Sequence, residues 1–318
     1  MEESQSFEFV AWNNKQLLTL LSERDGETKI GQKLVTRNEA KYIIIGIEES
    51  IGPRANLGRG GAENGFSAFL GFFLNMQANS TMPTDGIHIL GSVKCKQNLT
   101  SNLREKVEEL DDFIVNLLRE YVLEGQIPIV IGGGHNNAYP LIKFSFERWK
   151  QKINVINLDA HADYRLLEGR HSGNAFSYSF KDGFMNKYFV LGLHQRYNSQ
   201  QILNDLQRDN HYYTFYEDYL MRQRDFFEDI NQLQAQLNTS VPVGVELDMD
   251  TIEFMPSSAF SPVGISIDTG RFYVRTMAKI ENCAYLHIPE GAPSDDFERR
   301  IVGKVLSYFV SDFIAVNQ

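Results

Sequence analysis

The chain has 318 residues, 31 Lys and Arg against 41 Asp and Glu for a formal net charge of −10, and 42% hydrophobic residues. That ordinary globular composition excludes disordered and collagenous chains, and the negative balance argues against nucleic-acid and anionic-membrane partners. Two cysteines, Cys95 and Cys283, exclude a disulfide scaffold, and no apolar run approaches the ~20 residues of a membrane span.

The opening MEESQSFEFV lacks the basic-then-apolar order of a secretory leader, so a soluble, cytoplasmic protein is expected. In chain order, a strand is predicted over 42–45, followed by the glycine-rich stretch 52–62 and a second strand over 87–90. A helix is predicted over 103–123, where Val107, Leu110, Ile114, Leu117, Leu118 and Tyr121 trace one stripe. A strand over 127–131 then runs into Gly-Gly-Gly-His135. The strand over 153–158 runs into Asp159-Ala-His161-Ala-Asp163. Strands over 188–191 and 212–215 follow, then a helix over 226–237. The strand over 241–247 leads into Asp248-Met-Asp250, the last strand covers 284–288, and a final helix covers 296–313 with Phe297, Ile301, Val305 and Phe309 as its stripe. Continuous rather than alternating apolar runs suit parallel strands covered on both faces. The expected fold is therefore α/β: one three-layer α/β/α domain over 1–318, core about 42–313, with chemistry at the carboxyl ends of the strands.

Three strand ends carry polar clusters. At period two, Asp159, His161 and Asp163 would share one side of a continued strand, and burying them together without a cation is costly. With His135, Asp248 and Asp250 they offer four carboxylates and two imidazoles. One divalent ion cannot neutralise four carboxylates, whereas two ions can. Mixed oxygen and nitrogen donors without thiolate favour Mn2+, with Fe2+, Co2+ and Zn2+ as alternatives.

These motifs, in this order, resemble the three metal-binding motifs of the ureohydrolases, the arginase/agmatinase/formimidoylglutamase family. Residues 52–62 and Glu290 extend the resemblance over roughly 42–313. It implies a mostly parallel eight-stranded sheet, a homo-oligomer, and two Mn2+ ions per chain that activate water against a small molecule bearing an amidine or guanidine group. It also implies that His135 and Asp163 hold the first metal, His161 and Asp250 the second, and that Asp159 and Asp248 bridge them. Arg165 falls where the family faces the substrate's carboxylate end, and Ser172 and Asn174 lie in a segment that resembles its substrate loop. Arginine suits a dicarboxylate there because its fork pairs with carboxylate.

The pattern is closest to formimidoylglutamase. It implies hydrolysis of N-formimino-L-glutamate, the reaction of histidine breakdown. Asp250, Glu290 and His171 are the candidate catalytic groups, with Asp250, solvent or His171 supplying a proton. An agmatinase or other guanidino hydrolase is the enzyme alternative, and a catalytically weak metal-containing binding or regulatory protein is the alternative of another class. Phe176 stands where arginases carry a proton-shuttling His, Glu246 where Ser or Thr is usual, and Phe254 and Met255 interrupt the usual proline-rich pattern. These departures argue against arginase activity.

Overall fold

A computed structural model describes residues 4–82 and 84–316. Its strands are β1 (Phe7–Ala11), β2 (Tyr42–Glu48), β3 (Ile87–Cys95), β4 (Ile127–Ile131), β5 (Ile153–Leu158), β6 (Met185–Leu193), β7 (Tyr212–Phe215), β8 (Val243–Leu247) and β9 (Cys283–Ile288). They join in one sheet in the order β1-β3-β2-β4-β9-β8-β5-β6-β7. Strands β2 to β9 pair in parallel, matching the eight expected. The ninth, β1, lies antiparallel on β3, with Phe7 opposite Cys95. It was not foreseen because it lies at the sheet edge with only Phe7 buried, so no continuous apolar run marks it, and it falls outside the expected core. The domain expected over 1–318 includes residues 1–3, 83 and 317–318, which lie outside the described residues.

Successive strand residues feed opposite cores. Tyr42 and Ile44 pack on one face of β2, and Ile43, Ile45 and Ile47 on the other. The first face is covered by helices Gly65–Phe73, Phe226–Leu237, Ile267–Met277 and Asp296–Val316. The second is covered by Leu103–Tyr121, Ala138–Trp149, Ala175–Lys181 and Gln200–Arg208. This three-layer burial explains why the strands read as continuous Val/Ile/Leu runs. One stripe expectation is corrected: Phe297, in the first turn of the last helix, is 71% exposed, while Val305 and Phe309 are buried. Among the described residues no helix is long and apolar enough to cross a membrane.

The sheet order brings β4, β9, β8 and β5 side by side at the centre. Chain segments far apart in sequence therefore end next to one another, on the carboxyl edge where open α/β sheets bind ligands.

Candidate metal centre

After β4 the chain turns through Gly132 and Gly133, both at positive φ, into the short turn His135–Asn137 and the helix Ala138–Trp149. A Cβ on Gly133 would press on the Asn137 amide at 2.5 Å and on Glu49 Oε1 at 3.0 Å, so glycine is needed there. Buried Glu49 accepts from the Gly134 N–H at 2.9 Å and the Asn137 amide at 2.8 Å. The turn is thus pinned from the end of β2, and His135 is aimed into the site.

After β5 the strand does not continue. The expectation that period two would align Asp159, His161 and Asp163 is corrected: they lie on a loop, and Asp163 reaches the site from a left-handed backbone at φ 46°. Asp159 Oδ1 accepts from the His161 N–H at 2.7 Å, and its Oδ2 accepts from Asn157 at 2.9 Å. After β8, Asp248 caps the turn Met249–Thr251 by accepting from the Asp250 N–H at 2.8 Å. After β9, Glu290 adopts φ 67°, and its Oε1 accepts from the His135 N–H at 2.7 Å.

The structure brings all six expected ligands together. His135 Nδ1 lies 2.9 Å from Asp248, 3.1 Å from Asp163 and 3.3 Å from Asp159. His161 Nδ1 lies 3.1 Å from Asp250 and 3.7 Å from Asp159. Donor atoms of His135, Asp159, Asp163 and Asp248 stand within 4.8 Å of one another, and so do those of Asp159, His161 and Asp250. The two groups share Asp159 and form a binuclear metal-binding site.

The electrostatics fit two cations. Burial pushes the Asp159, Asp248 and Asp250 carboxyls up, and neighbouring carboxylates add to this, Asp163 at Asp159, Asp159 at Asp248, and Asp248 at Asp250. Burial works against a charge on His135 or His161, yet the surrounding carboxylates outweigh it and raise both well above the ordinary range. Protons are thus drawn to where cations would sit. Asp250 Oδ1 is buried without a hydrogen-bond partner, which a metal ligand atom would explain.

His161, Asp163, Asp248, Asp250 and Glu290 line one cleft, with Arg165, Ser172 and Tyr197 also lining it. Arg165 is half exposed, and its Nε lies 3.9 Å from Glu168. Ser172 Oγ accepts from Asn56 at 3.4 Å. Glu290 accepts from the Ser258 hydroxyl, and burial followed by the Asp248 charge raises its carboxyl.

Two expected site residues are placed elsewhere. Asn174 is buried, with its carbonyl accepting from Arg170 at 2.8 Å and its amide donating to Gly169 O at 2.8 Å, so it organises the loop. His171 is also buried and does not line the cleft. Its Nδ1 accepts from the Gly173 N–H at 3.1 Å and its Nε2 faces Glu168 at 3.2 Å. Burial pulls its pKa down to about 4. A ring so tied, and neutral at pH 7, is a poor acid. Phe176 is buried as well, stacked on Tyr188 at 4.3 Å and roughly perpendicular to the His135 ring.

Other contributors were not singled out from sequence. Tyr197 stacks on His161 with centroids 5.2 Å apart, and Glu49 carries the pinning role above. A charge directly after a continuous apolar strand was the available signal for Glu49; Tyr197 had none. Glu246 was noticed only as a departure. It is fully buried behind His135, 3.4 Å from Nε2. Burial works against its charge, but His287 and His135 outweigh it and hold the carboxyl down at about 2.

Comparison with known proteins agrees with this fold. A profile described as the arginase family matches residues 40–315. The formimidoylglutamase of Chromobacterium violaceum is 26% identical over 231 residues, covering 71% of each chain. The formimidoylglutamase structure from Bacillus subtilis superposes with a TM-score of 0.78 at 18% identity, covering 92% of each chain. Formiminoglutamase of Trypanosoma cruzi, solved with Mn2+, gives a TM-score of 0.73 at 20% identity, covering 91% of this chain and 99% of that one.

Proposed function

This chain belongs to the arginase family, and from that premise we propose that it hydrolyses N-formimino-L-glutamate with water to L-glutamate and formamide, in a cytoplasmic setting and with two Mn2+ ions held by His135, Asp159, His161, Asp163, Asp248 and Asp250. The observation that carries the substrate reading is the polarity of the cleft. Asp250 and Glu290 line it alongside Arg165, whose guanidinium is a fixed positive charge. A substrate cationic at one end and anionic at the other matches that arrangement.

The ions, when bound, lower the pKa of water and polarise the amidine. The protein groups supply the rest. Glu290 meets the amidinium end, held in place by the Ser258 hydroxyl and the His135 N–H. Arg165 pairs with a substrate carboxylate, and its backbone N–H donates to Gly173 O at 3.0 Å, which ties it to the loop bearing Ser172. The tetrahedral intermediate expels the glutamate amine, which must gain a proton. Asp250, which lines the cleft, is the residue to which we assign delivery of that proton.

The test is a substrate panel on Mn2+-loaded protein, reading formamide, urea and ammonia separately. The expected result is formamide from N-formimino-L-glutamate and almost no urea from arginine. Urea from agmatine instead would replace this substrate with a guanidino compound. Tight binding with every amidine and guanidine left intact would establish a binding or regulatory protein.

A further inference from the structure

Beneath the metal centre lies a buried polar network that the hydrolytic reading does not use. Glu246 is fully buried on β8. Its Oε1 accepts from the Tyr285 hydroxyl at 2.7 Å, and its Oε2 faces His287 Nδ1 at 2.6 Å. Both partners come from the adjacent β9 and are fully buried. Gly244, two residues earlier on β8, leaves the space: a Cβ there would collide with the Tyr285 ring. An ionised carboxylate is expensive in such a place unless it is paired and its lone pairs are satisfied. Tyr285 and His287 satisfy two of its directions, and His135 Nε2 stands in a third at 3.4 Å.

His135 presents Nδ1 to Asp159, Asp163 and Asp248. A metal on Nδ1 needs that nitrogen unprotonated, so the ring proton must sit on Nε2. Nε2 is buried with no hydrogen-bond partner, and the Glu246 carboxylate is the acceptor beside it. Ligating histidines characteristically give their second N–H to a carboxylate, which fixes the tautomer and the ring angle.

We propose that Glu246, locked by Tyr285 and His287, is a positioning residue that holds His135 in the metal-binding tautomer and so sets the affinity of the first metal position. A third cation among His135 Nε2, Glu246 and His287 is the competing reading, because their donor atoms also lie within 4.8 Å of one another. The 2.6 Å separation of Glu246 Oε2 and His287 Nδ1 opposes it. Two ligands on a tetrahedral ion at about 2.0–2.1 Å stand roughly 3.3 Å apart, whereas 2.6 Å is a hydrogen-bond distance with the proton between.

The experiment compares wild type with Glu246→Gln, which keeps the shape, and Tyr285→Phe, which removes one lock. Mn2+ dissociation constants come from chelator competition, ion counts from elemental analysis, and fold integrity from circular dichroism of the metal-free proteins. We expect two ions in wild type. Glu246→Gln weakens one of the two sites about 10–100-fold, with the metal-free spectrum unchanged. Tyr285→Phe weakens the same site by a smaller factor. Unchanged affinities in both variants overturn the proposal. Equal weakening of both sites also overturns it, since that marks a general loss of structure. A third ion in wild type that Glu246→Gln removes assigns a cation site instead. Should Glu246→Gln fail to fold, Tyr285→Phe decides alone: weakening of one site supports the proposal, and unchanged or evenly weakened sites overturn it. These readouts count metal, so they are independent of which substrate is turned over.

Discussion

Replacing Arg170 by Met should cost stability first and substrate affinity second. The guanidinium is 2% exposed. Its Nε donates to Asp111 at 2.9 Å, one terminal nitrogen to Asn174 Oδ1 at 2.8 Å, and the other to Asn136 O at 2.9 Å. It also lies over the Tyr139 and Tyr178 rings, at 4.6 and 5.2 Å. One side chain thus fastens the helix Leu103–Tyr121, the turn that carries His135, and the loop that carries Arg165 and Ser172. Methionine keeps the stem and strands Asp111 in the core, a change that costs about 3–5 kcal/mol when one member of a buried pair is removed. Burial already pushes the Asp111 carboxyl up to about 7 with Arg170 beside it. Without Arg170 the carboxyl protonates more readily, which moves the cost toward about 3 kcal/mol near neutral pH. The sign follows from linkage. A carboxyl whose folded pKa exceeds its unfolded value near 3.9 loses stability as pH rises between the two; wild type and variant share that loss up to the wild-type value of about 7, so the deficit of the variant should hold steady below about pH 7 and grow above it. Urea unfolding of metal-free protein at several pH values measures it. The double variant Arg170→Met/Asp111→Leu should recover part of the loss, because no lone charge remains. A deficit under about 1 kcal/mol that ignores pH, with no recovery in the double variant, would refute the reasoning.

Asp248→Asn should lower Mn2+ content from two ions per chain toward one by elemental analysis after dialysis, because a neutral amide cannot replace a shared carboxylate. Arg165→Met should raise KM for N-formimino-L-glutamate about 10-fold or more, the loss of a charge-assisted pair, and leave agmatine kinetics nearly unchanged; equal losses on both substrates point away from a carboxylate contact. His171→Ala should lower kcat by less than about 10-fold, because the ring does not line the cleft; a 100-fold fall would make it the acid after all. Burial holds His211 down to about 4, between the Tyr188 N–H and the Tyr164 hydroxyl. Its contribution is present above pH 6.5 and lost as pH falls toward 4, by up to about 1.4 kcal/mol per pH unit, and His211→Gln should flatten acid unfolding in that window.

The strands and the ligands were legible because both leave local marks. Doubly covered strands write unbroken apolar runs, and 127–131, 153–158 and 212–215 match β4, β5 and β7 end to end. Alternating Asp and His at a strand end has few explanations besides a cation. What was not legible is what depends on sheet order. Nothing local says that β9 lies between β4 and β8, and only that neighbourhood turns Glu246, Tyr285 and His287 into one network. That His171 and Asn174 hydrogen-bond within their own loop was hidden for a related reason. A loop residue rich in polar atoms looks the same in sequence whether it faces a substrate or its own backbone.

The position of β9 has a consequence for how the protein comes into being. It is the last strand of the sheet in the chain, yet it pairs with β4 on one side and β8 on the other. Until residues 283–288 are in place, the sheet is two separate leaves, β1-β3-β2-β4 and β8-β5-β6-β7, with an open seam between them. His135 stands on one leaf and Asp159, His161, Asp163, Asp248 and Asp250 on the other. A nascent chain that has emerged past Asp250 but not to β9 therefore owns all six proposed metal ligands while the strand that joins the two leaves is still missing. Metal uptake should then follow closure of the seam, and a chain shortened before β9 should hold its ions far more weakly, however complete its ligand motifs.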